Sequence, residues 1–342
     1  MTKAPAPKLT VAYVMPVRND AMYLRGAVES IIAQDNPPKT SVVLSVGPST
    51  DNTREVADQL AKEYGVTVVD NPQGNTPAAL NIAMLATNAD VAVRVDAHSE
   101  LEPGYAKRAV EILEKTGASN VGGIMEARGR TNIQKAVAWA YGNFIGLGGG
   151  PIHTGGTAGP ADTVYLGVFR RLDVLDIGGF NEQLIRGQDW ELNARLREHG
   201  KTVWFDPSLR VGYYPRRDIV SLAKQFFGTG VFRAYILMAN PKRTRIKYLV
   251  PPTFVASVLM GLVALAVSGS WWMLLPVYAY AALVLFGALT AKGLSLKSRI
   301  ALMAVLPTMH ISWGAGFWKG VFTFGSRGDD IVLNTAAISV HS

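Results

Sequence analysis

The chain has 342 residues, which is enough for one large domain or two ordinary ones. It contains no cysteine, and this excludes a disulfide framework and a thiolate metal site. Its net charge of +8 suits either nucleic acid or an anionic membrane surface, but no nucleic-acid-binding motif accompanies the charge. Hydrophobic residues make up 49% of the chain, and most of the excess follows Leu249, so a membrane is the favoured partner.

The first hundred residues alternate between strand-like and helix-like patterns. Runs of β-branched residues predict strands, and apolar residues at helical spacing predict the helices between them. The predicted strands cover 11–15, 42–46, 66–69 and 90–93, and the predicted helices cover 24–32, 56–64 and 77–87, with Pro16 ending the first strand. This alternation is typical of an α/β fold with a mostly parallel, doubly wound sheet.

Asp96 and His98 directly follow the fourth predicted strand. In an open α/β sheet, ligands bind at the carboxyl ends of the strands. A carboxylate and an imidazole there could hold a divalent cation, and the cation would hold a diphosphate. The alternative is a strand-end turn in which Asp96 caps the next element and His98 is solvated.

The usual nucleotide-binding fingerprints are absent. No Gly-x-Gly-x-x-Gly follows the first strand, and the apparent end of a P-loop at Gly200 lacks the earlier glycine, because Arg195 stands there. The glycine-rich segment 146–159 is interpreted as a loop, with a lid over the site as one role for it.

The region 163–198 contributes another strand, at 163–169, and a helix that begins near Asp189. A carboxylate at a helix N-terminus is stabilised as an anion by the helix dipole. Asp189 therefore has two interpretations, a helix cap and a general base that faces a cleft.

The order of these motifs resembles the inverting family 2 glycosyltransferases with a GT-A fold. Within that family it is most similar to the membrane-attached glucosyltransferase-like enzymes of bacterial exopolysaccharide (succinoglycan-type) assembly. The similar segments are 16–19, 49–53, 78–81, 94–98, 167–171, 178–182 and 188–191. The resemblance extends from about Val11 through the apolar C-terminal segments, which is nearly the whole chain.

The resemblance implies a nucleotide-sugar donor and a bound Mn²⁺ or Mg²⁺. Asp96 corresponds to the metal-binding carboxylate of the family's Asp-x-Asp motif, and His98 replaces its second aspartate. A divalent cation would stabilise the charge that develops on the diphosphate leaving group. A solvated His98, or one that only supports a ligand, is the alternative. The residues implied in binding the donor nucleotide are Pro16, Arg18, Asn19, Asp51, Asn81, Arg94 and Asp96.

Asp189 takes the position of the family's catalytic base, which would remove the proton of the acceptor hydroxyl. Gln188 stands where the family usually has a glutamate. The processive signature Gln-x-x-Arg-Trp is missing, so we expect one sugar to be added per encounter. Residues predicted to contact the acceptor or the diphosphate are His153, Arg170, Gln188, Trp190 and Arg216.

One departure from the family concerns the nucleotide. The family normally has an aspartate pair at the end of the second strand, and here those positions are Val46 and Gly47. Base recognition would then depend on the donor-binding residues that remain, among them Asp51.

The last third of the chain has the pattern of a membrane anchor. An amphipathic helix is predicted from Ile219, and a basic run over 242–247 follows it. We interpret these as an interfacial helix and a polybasic collar, with an ordinary docking helix as the alternative. No charged residue occurs between Lys247 and Lys292, an interval that fits two membrane-spanning helices. The three candidate spans cover about 250–268, 271–290 and 300–321, the third being interrupted by Pro307.

The predicted organisation is a GT-A domain over 1–215, juxtamembrane helices over 216–248, and transmembrane helices with a short tail over 249–342. Basic residues on both sides of the first two spans predict a catalytic domain on the cytoplasmic side of the plasma membrane. The expected acceptor is a polyprenyl phosphate or a polyprenyl-linked saccharide. The alternatives are a non-catalytic GT-A scaffold of a polysaccharide assembly or export complex, and a nucleotidyltransferase. Retention of both Asp96 and Asp189 argues against them.

Overall fold

The computed structural model describes residues 9–37, 39–184, 186–239 and 246–325. Contacts divide the chain into two units. The first unit comprises Met1–Glu126 and Gly155–Tyr213, and the second comprises Ala127–Thr154 and Tyr214–Ser342. The segment Ala127–Thr154, which the sequence analysis puts in the GT-A domain, therefore belongs with the C-terminal helices. The domain limits at 215 and 248 stay predictions.

The strands all belong to the first unit. They are β1 Val11–Val17, β2 Thr40–Val46, β3 Thr67–Asp70, β4 Val91–Arg94, β5 Ser99–Leu101, β6 Asn120–Ala127, β7 Gly159–Pro160, β8 Tyr165–Arg170 and β9 Val203–Tyr213, with β6 ending one residue into the second unit. The helices are α1 Ala21–Ile32, α2 Thr53–Tyr64, α3 Thr76–Leu85, α4 Tyr105–Thr116, α5 Asn132–Tyr141, α6 Phe144–Leu147, α7 Pro151–Thr154, α8 Arg171–Asp176, α9 Gln188–Glu198, α10 Ile219–Ala239, α11 Val250–Ser268, α12 Leu275–Thr290 and α13 Leu296–Phe324.

One mixed sheet organises the first unit, with the strand order β3-β2-β1-β4-β8-β6-β9-β5 and with β7 paired to β9. The first four strands are parallel, as the strand–helix alternation predicts. The later strands pair antiparallel: β8 pairs with β4 and β6, and β9 pairs with β5 and β7. The helices, the mixed sheet and the three apolar C-terminal helices confirm the predicted fold class.

Pro16 lies inside β1 and does not end it. Pro16 pairs with Ser45 of β2, and β4 pairs with β1 only as far as Val14. Because β4 has already ended beside Pro16, the missing N–H of proline costs no bond to that strand.

The core of the first unit covers both faces of the parallel strands. Val11, Tyr13 and Met15 of β1 are fully buried in a cluster with residues of α1, α2 and α4. The alternate residues Ala12 and Val14, on the opposite face, are also fully buried. Burial on both faces explains why these strands are continuous apolar runs in the sequence.

The glycine-rich segment 146–159, interpreted as a loop, includes the end of α6 and the whole of α7, two short helices of the second unit. Left-handed glycines, Gly148 and Gly149, connect them. Glycine adopts this left-handed conformation at little cost in free energy, so these two glycines form the turn between the helices.

In the second unit, α10 and α13 run side by side in the same direction. A Cβ at Gly316 would lie 2.0 Å from the carbonyl oxygen of Phe227, and a Cβ at Gly320 would lie 2.7 Å from the Cβ of Ala234. Further along, the rings of Tyr235 and Phe324 are 5.7 Å apart. Small residues thus let the two helix backbones come into contact.

Three helical segments of the second unit are long and apolar enough to cross a membrane: Ile246–Ser268, Trp271–Thr290 and Leu296–Phe324. Gly269, in the left-handed conformation, ends the first of them. The first two are 17% buried over their most apolar window, whereas the third is 44% buried. Protein therefore covers much more of α13 than of the α11–α12 hairpin.

Candidate functional site

The carboxyl ends of β1, β2 and β4 meet at one edge of the sheet, because these three strands are parallel neighbours. The chain continues from them into three loops, which carry Arg18 to Asp20, Gly47 to Thr53, and Val95 to His98. This is the position at which ligands bind in open α/β sheets.

Arg94 connects the two carboxylates that the sequence analysis assigns to the metal and to catalysis. Its guanidinium donates from Nε to Oδ1 of Asp96 at 3.0 Å and from Nη2 to Oδ2 at 3.3 Å. Its Nη1 donates to Oδ1 of Asp189. The Arg94 side chain is only 5% exposed, whereas Asp96 is 20% and Asp189 36% exposed. Asp96 and Asp189, which are far apart in the chain, thus share one buried cation.

Burial raises the pKa of Asp189 above that of an ordinary aspartate. The positive charge of Arg94 opposes this increase, and the negative charge of Asp96 adds to the increase. Asp189 lies in the first turn of α9, which follows the left-handed Gly187. Within the described part of the chain, no side chain caps this helix. Asp189 is therefore directed at Arg94, and the geometry disfavours its interpretation as a helix cap.

Asp96 and His98 lie on a tight turn, in which the N–H of Ser99 donates to the carbonyl of Asp96 at 2.9 Å. His98 is exposed. Asp20, which follows β1, lies near both of them: burial raises its pKa, His98 opposes the shift, and Asp96 adds to it. Asp20 is not among the predicted site residues, although, like Asp96, it is a carboxylate that follows the end of a parallel strand within a few residues.

The donor set at this edge fits a hydrated divalent cation. No group of three or more His, Asp and Glu side chains that could hold a metal occurs among the described residues. Each oxygen of Asp96 accepts one hydrogen bond from Arg94, so each keeps a further lone pair. One carboxylate and one imidazole, supplemented by phosphate oxygens and water, suit Mg²⁺ or Mn²⁺.

Arg18, Asn19 and Asp51 hold the neighbouring loops together. Arg18 donates to the carbonyls of Pro48 at 3.2 Å and Gly74 at 3.1 Å. Asn19, with a positive φ of 54°, accepts from the N–H of Thr50 at 2.8 Å.

Asp51 accepts from the Thr53 hydroxyl and from the N–H of Ala21, and the Thr53 hydroxyl is the main cause of its lowered pKa. These residues line the predicted donor site, and their contact with a nucleotide stays a prediction.

Gly47, at the position of the family's second aspartate, faces Gly74. A Cβ at Gly47 would lie 3.1 Å from the Cα of Gly74 and 3.6 Å from the side chain of Asn71. A carboxylate side chain would therefore crowd the neighbouring loop. This close approach accounts for the glycine.

Asn81 binds protein groups and anchors the loop before α9. Its Nδ2 donates to the carbonyl of Phe180 at 2.9 Å and to Glu182 at 2.8 Å, and its Oδ1 accepts from the N–H of Phe180 at 2.7 Å. Glu182 also accepts from Gln73 at 2.7 Å. A Cβ at Gly179 would lie 2.5 Å from Oδ1 of Asn81, so the loop fits closely.

Arg170 lies away from this edge. It pairs with Val91, at the start of β4, and its guanidinium donates to the carbonyls of Ala118 and Leu113. We therefore leave Arg170 out of the proposed site, because it is used to hold the end of α4.

The other predicted contacts fall in different places. Gln188 and Trp190 flank Asp189 on α9. His153, on α7, and the exposed Arg216 belong to the second unit. The basic residues Lys242, Arg243 and Arg245 of the predicted collar lie outside the described residues.

Comparison with known proteins gives consistent results. Residues 13–171 match the sequence model of Glycosyl transferase family 2. The chain is 32% identical to the succinoglycan biosynthesis protein ExoA of Rhizobium meliloti (strain 1021), over 92% of this chain and 96% of that protein. It is 24% identical to the dolichyl N-acetyl-alpha-D-glucosaminyl phosphate 3-beta-D-2,3-diacetamido-2,3-dideoxy-beta-D-glucuronosyltransferase of Methanococcus voltae, over 91% of this chain and 97% of that enzyme.

Among solved structures, the mannosyltransferase PcManGT from Pyrobaculum calidifontis, determined in complex with GDP-Man and Mn²⁺, is similar over 93% of this chain and 88% of its own. The TM-score is 0.66 and the sequence identity 17%, so this similarity concerns the fold. The sheet, the edge with its two carboxylates and the relatives agree on one conclusion: the chain is a glycosyltransferase that belongs to family 2.

Proposed function

We propose that the protein transfers one sugar, with inversion, from a nucleotide-sugar donor to a lipid-linked acceptor during the assembly of an exopolysaccharide or another cell-envelope glycan. The observation that carries the proposal is the pair Asp96 and Asp189, held together by the buried Arg94. Asp96 is suited to bind the donor diphosphate through its cation, and Asp189 is suited to contact the acceptor hydroxyl.

In the proposed reaction, Asp189 accepts the proton of the acceptor hydroxyl as that oxygen attacks the anomeric carbon. Its raised pKa makes it a better proton acceptor than an ordinary aspartate. Arg94 keeps the carboxylate in place, and the loop anchored by Asn81 and Glu182 fixes the start of α9. No covalent sugar–enzyme intermediate is needed, because one displacement inverts the configuration.

Asp96 and His98 would hold a Mn²⁺ or Mg²⁺ ion together with the donor diphosphate. When bound, such an ion supplies positive charge that stabilises the leaving diphosphate. Asp20, close to both residues, is positioned to fix their orientation or the water around them. The Mn²⁺ in the mannosyltransferase complex is consistent with this assignment.

The acceptor is proposed to be a polyprenyl phosphate or a polyprenyl-linked saccharide at the cytoplasmic face of the plasma membrane. The three apolar helices and the basic residues around them support attachment to the membrane. The similarity to an enzyme whose name describes a dolichyl-phosphate-linked sugar supports a lipid-linked acceptor.

The proposal is tested by screening nucleotide sugars with membranes that contain the protein, with Mn²⁺, with Mg²⁺ and with a chelator. We expect transfer from one donor to a chloroform-extractable product, and loss of transfer with the chelator. Asp96→Ala and Asp189→Asn should both abolish it. Transfer at the wild-type rate by either variant would contradict the assignment of the site.

A further inference from the structure

A basic cluster lies in the second unit, outside the site described above. It consists of His153, Arg233 and Lys247, with the aromatic residues Tyr141, Tyr248 and Trp313 around them. The guanidinium carbon of Arg233 lies 3.9 Å from the centre of the Tyr248 ring, and Tyr248 stacks on Trp313 at 6.2 Å. The cluster connects α10, the start of the first apolar segment, and α13.

The glycine-rich turn brings Lys247 and His153 together. Nζ of Lys247 donates to the carbonyl of Gly149 at 2.8 Å, and the His153 ring contacts Tyr141 at 5.8 Å between ring centres. Burial, aided by the charge of Lys247, lowers the pKa of His153 to about 4. The imidazole is therefore neutral at pH 7, and the positive charge of the cluster resides on Arg233 and Lys247.

Three buried polar atoms in or beside the cluster have no hydrogen-bond partner among the described residues. They are Nδ1 of His153, Nε1 of Trp313 and Oε1 of Gln225. Gln225 belongs to the same group of side chains, since its Nε2 donates to the Tyr141 hydroxyl at 3.1 Å. Buried polar groups are normally paired, so the open indole N–H and imidazole nitrogen indicate a bound group that accepts hydrogen bonds.

Acidic residues are scarce in the unit that contains the cluster. In the described part of the second unit, Asp218 is the one acidic residue, and its carboxylate caps the start of α10 by accepting from the N–H of Ser221 at 2.7 Å. Arg233 is 15 residues further along, which is about 22 Å on a helix. The basic cluster therefore lies in a unit with few carboxylates, and such an environment favours an anion supplied from outside.

We propose that the basic cluster binds the phosphate group of the lipid-linked acceptor. The inference rests on the proposed function, because it adds the site that holds the acceptor's lipid phosphate. Arg233 and Lys247 supply charge, and the imidazole of His153 and the indole N–H of Trp313 supply neutral donors. Tyr248 and Trp313, beside the apolar helices, suit the first isoprene unit of the lipid.

The test uses the full-length protein in phosphatidylcholine nanodiscs and measures binding of a polyprenyl phosphate directly. Arg233→Gln and Lys247→Gln remove one charge each, and Lys224→Gln is the matched control, because Lys224 is exposed on the same helix. Each cluster variant should bind about 10- to 100-fold more weakly, as expected when a charged hydrogen bond is lost. The control should bind as the wild type does.

Phosphatidylglycerol and inorganic phosphate are tested as competitors. Weak competition by both supports a site for the polyprenyl phosphate. Displacement by phosphatidylglycerol at equal concentration would show a general lipid-phosphate site and overturn the assignment to the acceptor. Displacement by millimolar inorganic phosphate would likewise overturn a lipid site.

Protection of Lys247 from amine acylation provides a measurement on the wild type, should a variant fail to fold. Polyprenyl phosphate should protect Lys247 and leave Lys224 reactive. Equal labelling of Lys247 with and without the lipid would contradict the inference. Because binding is measured without sugar transfer, a protein that binds the lipid but transfers no sugar would contradict the proposed function alone.

Discussion

Arg94 is the residue on which the candidate site depends most. It comes two positions before Asp96 on the chain and contacts Asp189 from a distant helix, so a single guanidinium sets the spacing of the two carboxylates. Asp96 and Asp189 both raise the pKa of Arg94, against the opposing effect of burial. The arginine therefore stays charged, and the three residues form one electrostatic unit.

Asp189→Asn tests the role of the base. The amide is nearly isosteric with the carboxylate but cannot accept the proton, so we expect kcat to fall about 10²- to 10⁴-fold. Donor affinity should change little, since Asp189 contacts the acceptor in the proposed reaction. The measurement is steady-state kinetics with calorimetric donor binding, and the variant Gln183→Ala, at an exposed residue, is the control. An unchanged kcat would exclude Asp189 as the base.

The pH dependence of transfer follows from the same carboxyl. Burial raises the pKa of Asp189 above its ordinary 3.8. Since a general base acts when deprotonated, kcat should fall as the pH decreases through this raised value. A raised folded-state pKa also means that this group's contribution to stability is greatest below pH 3.8 and is lost as the pH rises through the raised value. Titration of Asp189 therefore does not by itself unfold the protein at the acidic limb.

The kcat–pH profile checks this prediction, with circular dichroism recorded at each pH to confirm folding. An acidic limb centred at or below pH 3.8 in a folded protein would contradict it.

The sequence predicts the residues of this site unevenly. Asp96 and Asp189 are recognisable because they follow a strand and open a helix, and the structure brings them together on Arg94. The sequence does not indicate Asp20, since its proximity to His98 arises from the pairing of β1 and β4. A linear motif also does not reveal at which end of the sheet an antiparallel strand finishes, and this is why the sequence places Arg170 with the site.

At the scale of elements, the loop between α8 and α9 determines where Asp189 lies. Asn81 of α3 and Arg195 of α9 bind its backbone, and Glu182 connects it to Gln73. Helix α9 is thereby attached to the helix that packs on β1 and β2. The sequence analysis assigns Asn81 to the nucleotide, and the structure gives this amide three partners within the protein.

Glu182→Ala tests this anchoring. Loss of the carboxylate removes the acceptor of the Gln73 amide and one of the two acceptors of the Asn81 amide, so we expect a loss of about 1 kcal/mol in stability. The start of α9 should loosen, which lowers kcat more than it raises the KM for the donor. Thermal unfolding and kinetics measure the two effects, with the exposed neighbour Gln183→Ala as control. If Glu182→Ala and Gln183→Ala had the same thermal stability and the same kinetics, the loop would not position the base.

Helices and strands with a clear hydrophobic periodicity can be predicted from the sequence, whereas those that depend on tertiary contacts cannot. The parallel strands and α1 to α3 are nearly where the patterns put them, because both faces of that sheet are buried. The sequence does not predict strand β6, because Gly122 and Gly123 weaken its pattern. A Cβ at Gly123 would lie 1.9 Å from the carbonyl of Leu209 on β9, so neighbouring strands require the glycine.

At the scale of the whole molecule, charge is divided between the two units. The second unit contains 16 Lys and Arg residues against three Asp and Glu, whereas the first has 18 against 23. The net charge of +8 is therefore the sum of a negative charge on the first unit and a larger positive charge on the second. A basic helical unit is what an anionic membrane surface attracts.

The side-by-side course of α10 and α13 bears on how often the chain crosses the bilayer. Helix α10 has Arg216 and Arg217 before it, carries Lys224 and Arg233, and is not among the helices apolar enough to span. If α13 crossed the membrane, α10 would have to cross beside it. Both helices are therefore expected to lie along the cytoplasmic surface, leaving the α11–α12 hairpin as the part that crosses.

An even number of crossings brings the chain back to the side from which it started. Gly325, after α13, would then lie in the same compartment as the sugar-nucleotide edge. Because the protein has no cysteine, single substitutions can report this directly in intact cells. An impermeant maleimide should label Ser270→Cys, at the hairpin tip, and should label Thr323→Cys only after lysis. Labelling of both in intact cells would mean an odd number of crossings, with α13 as a third span.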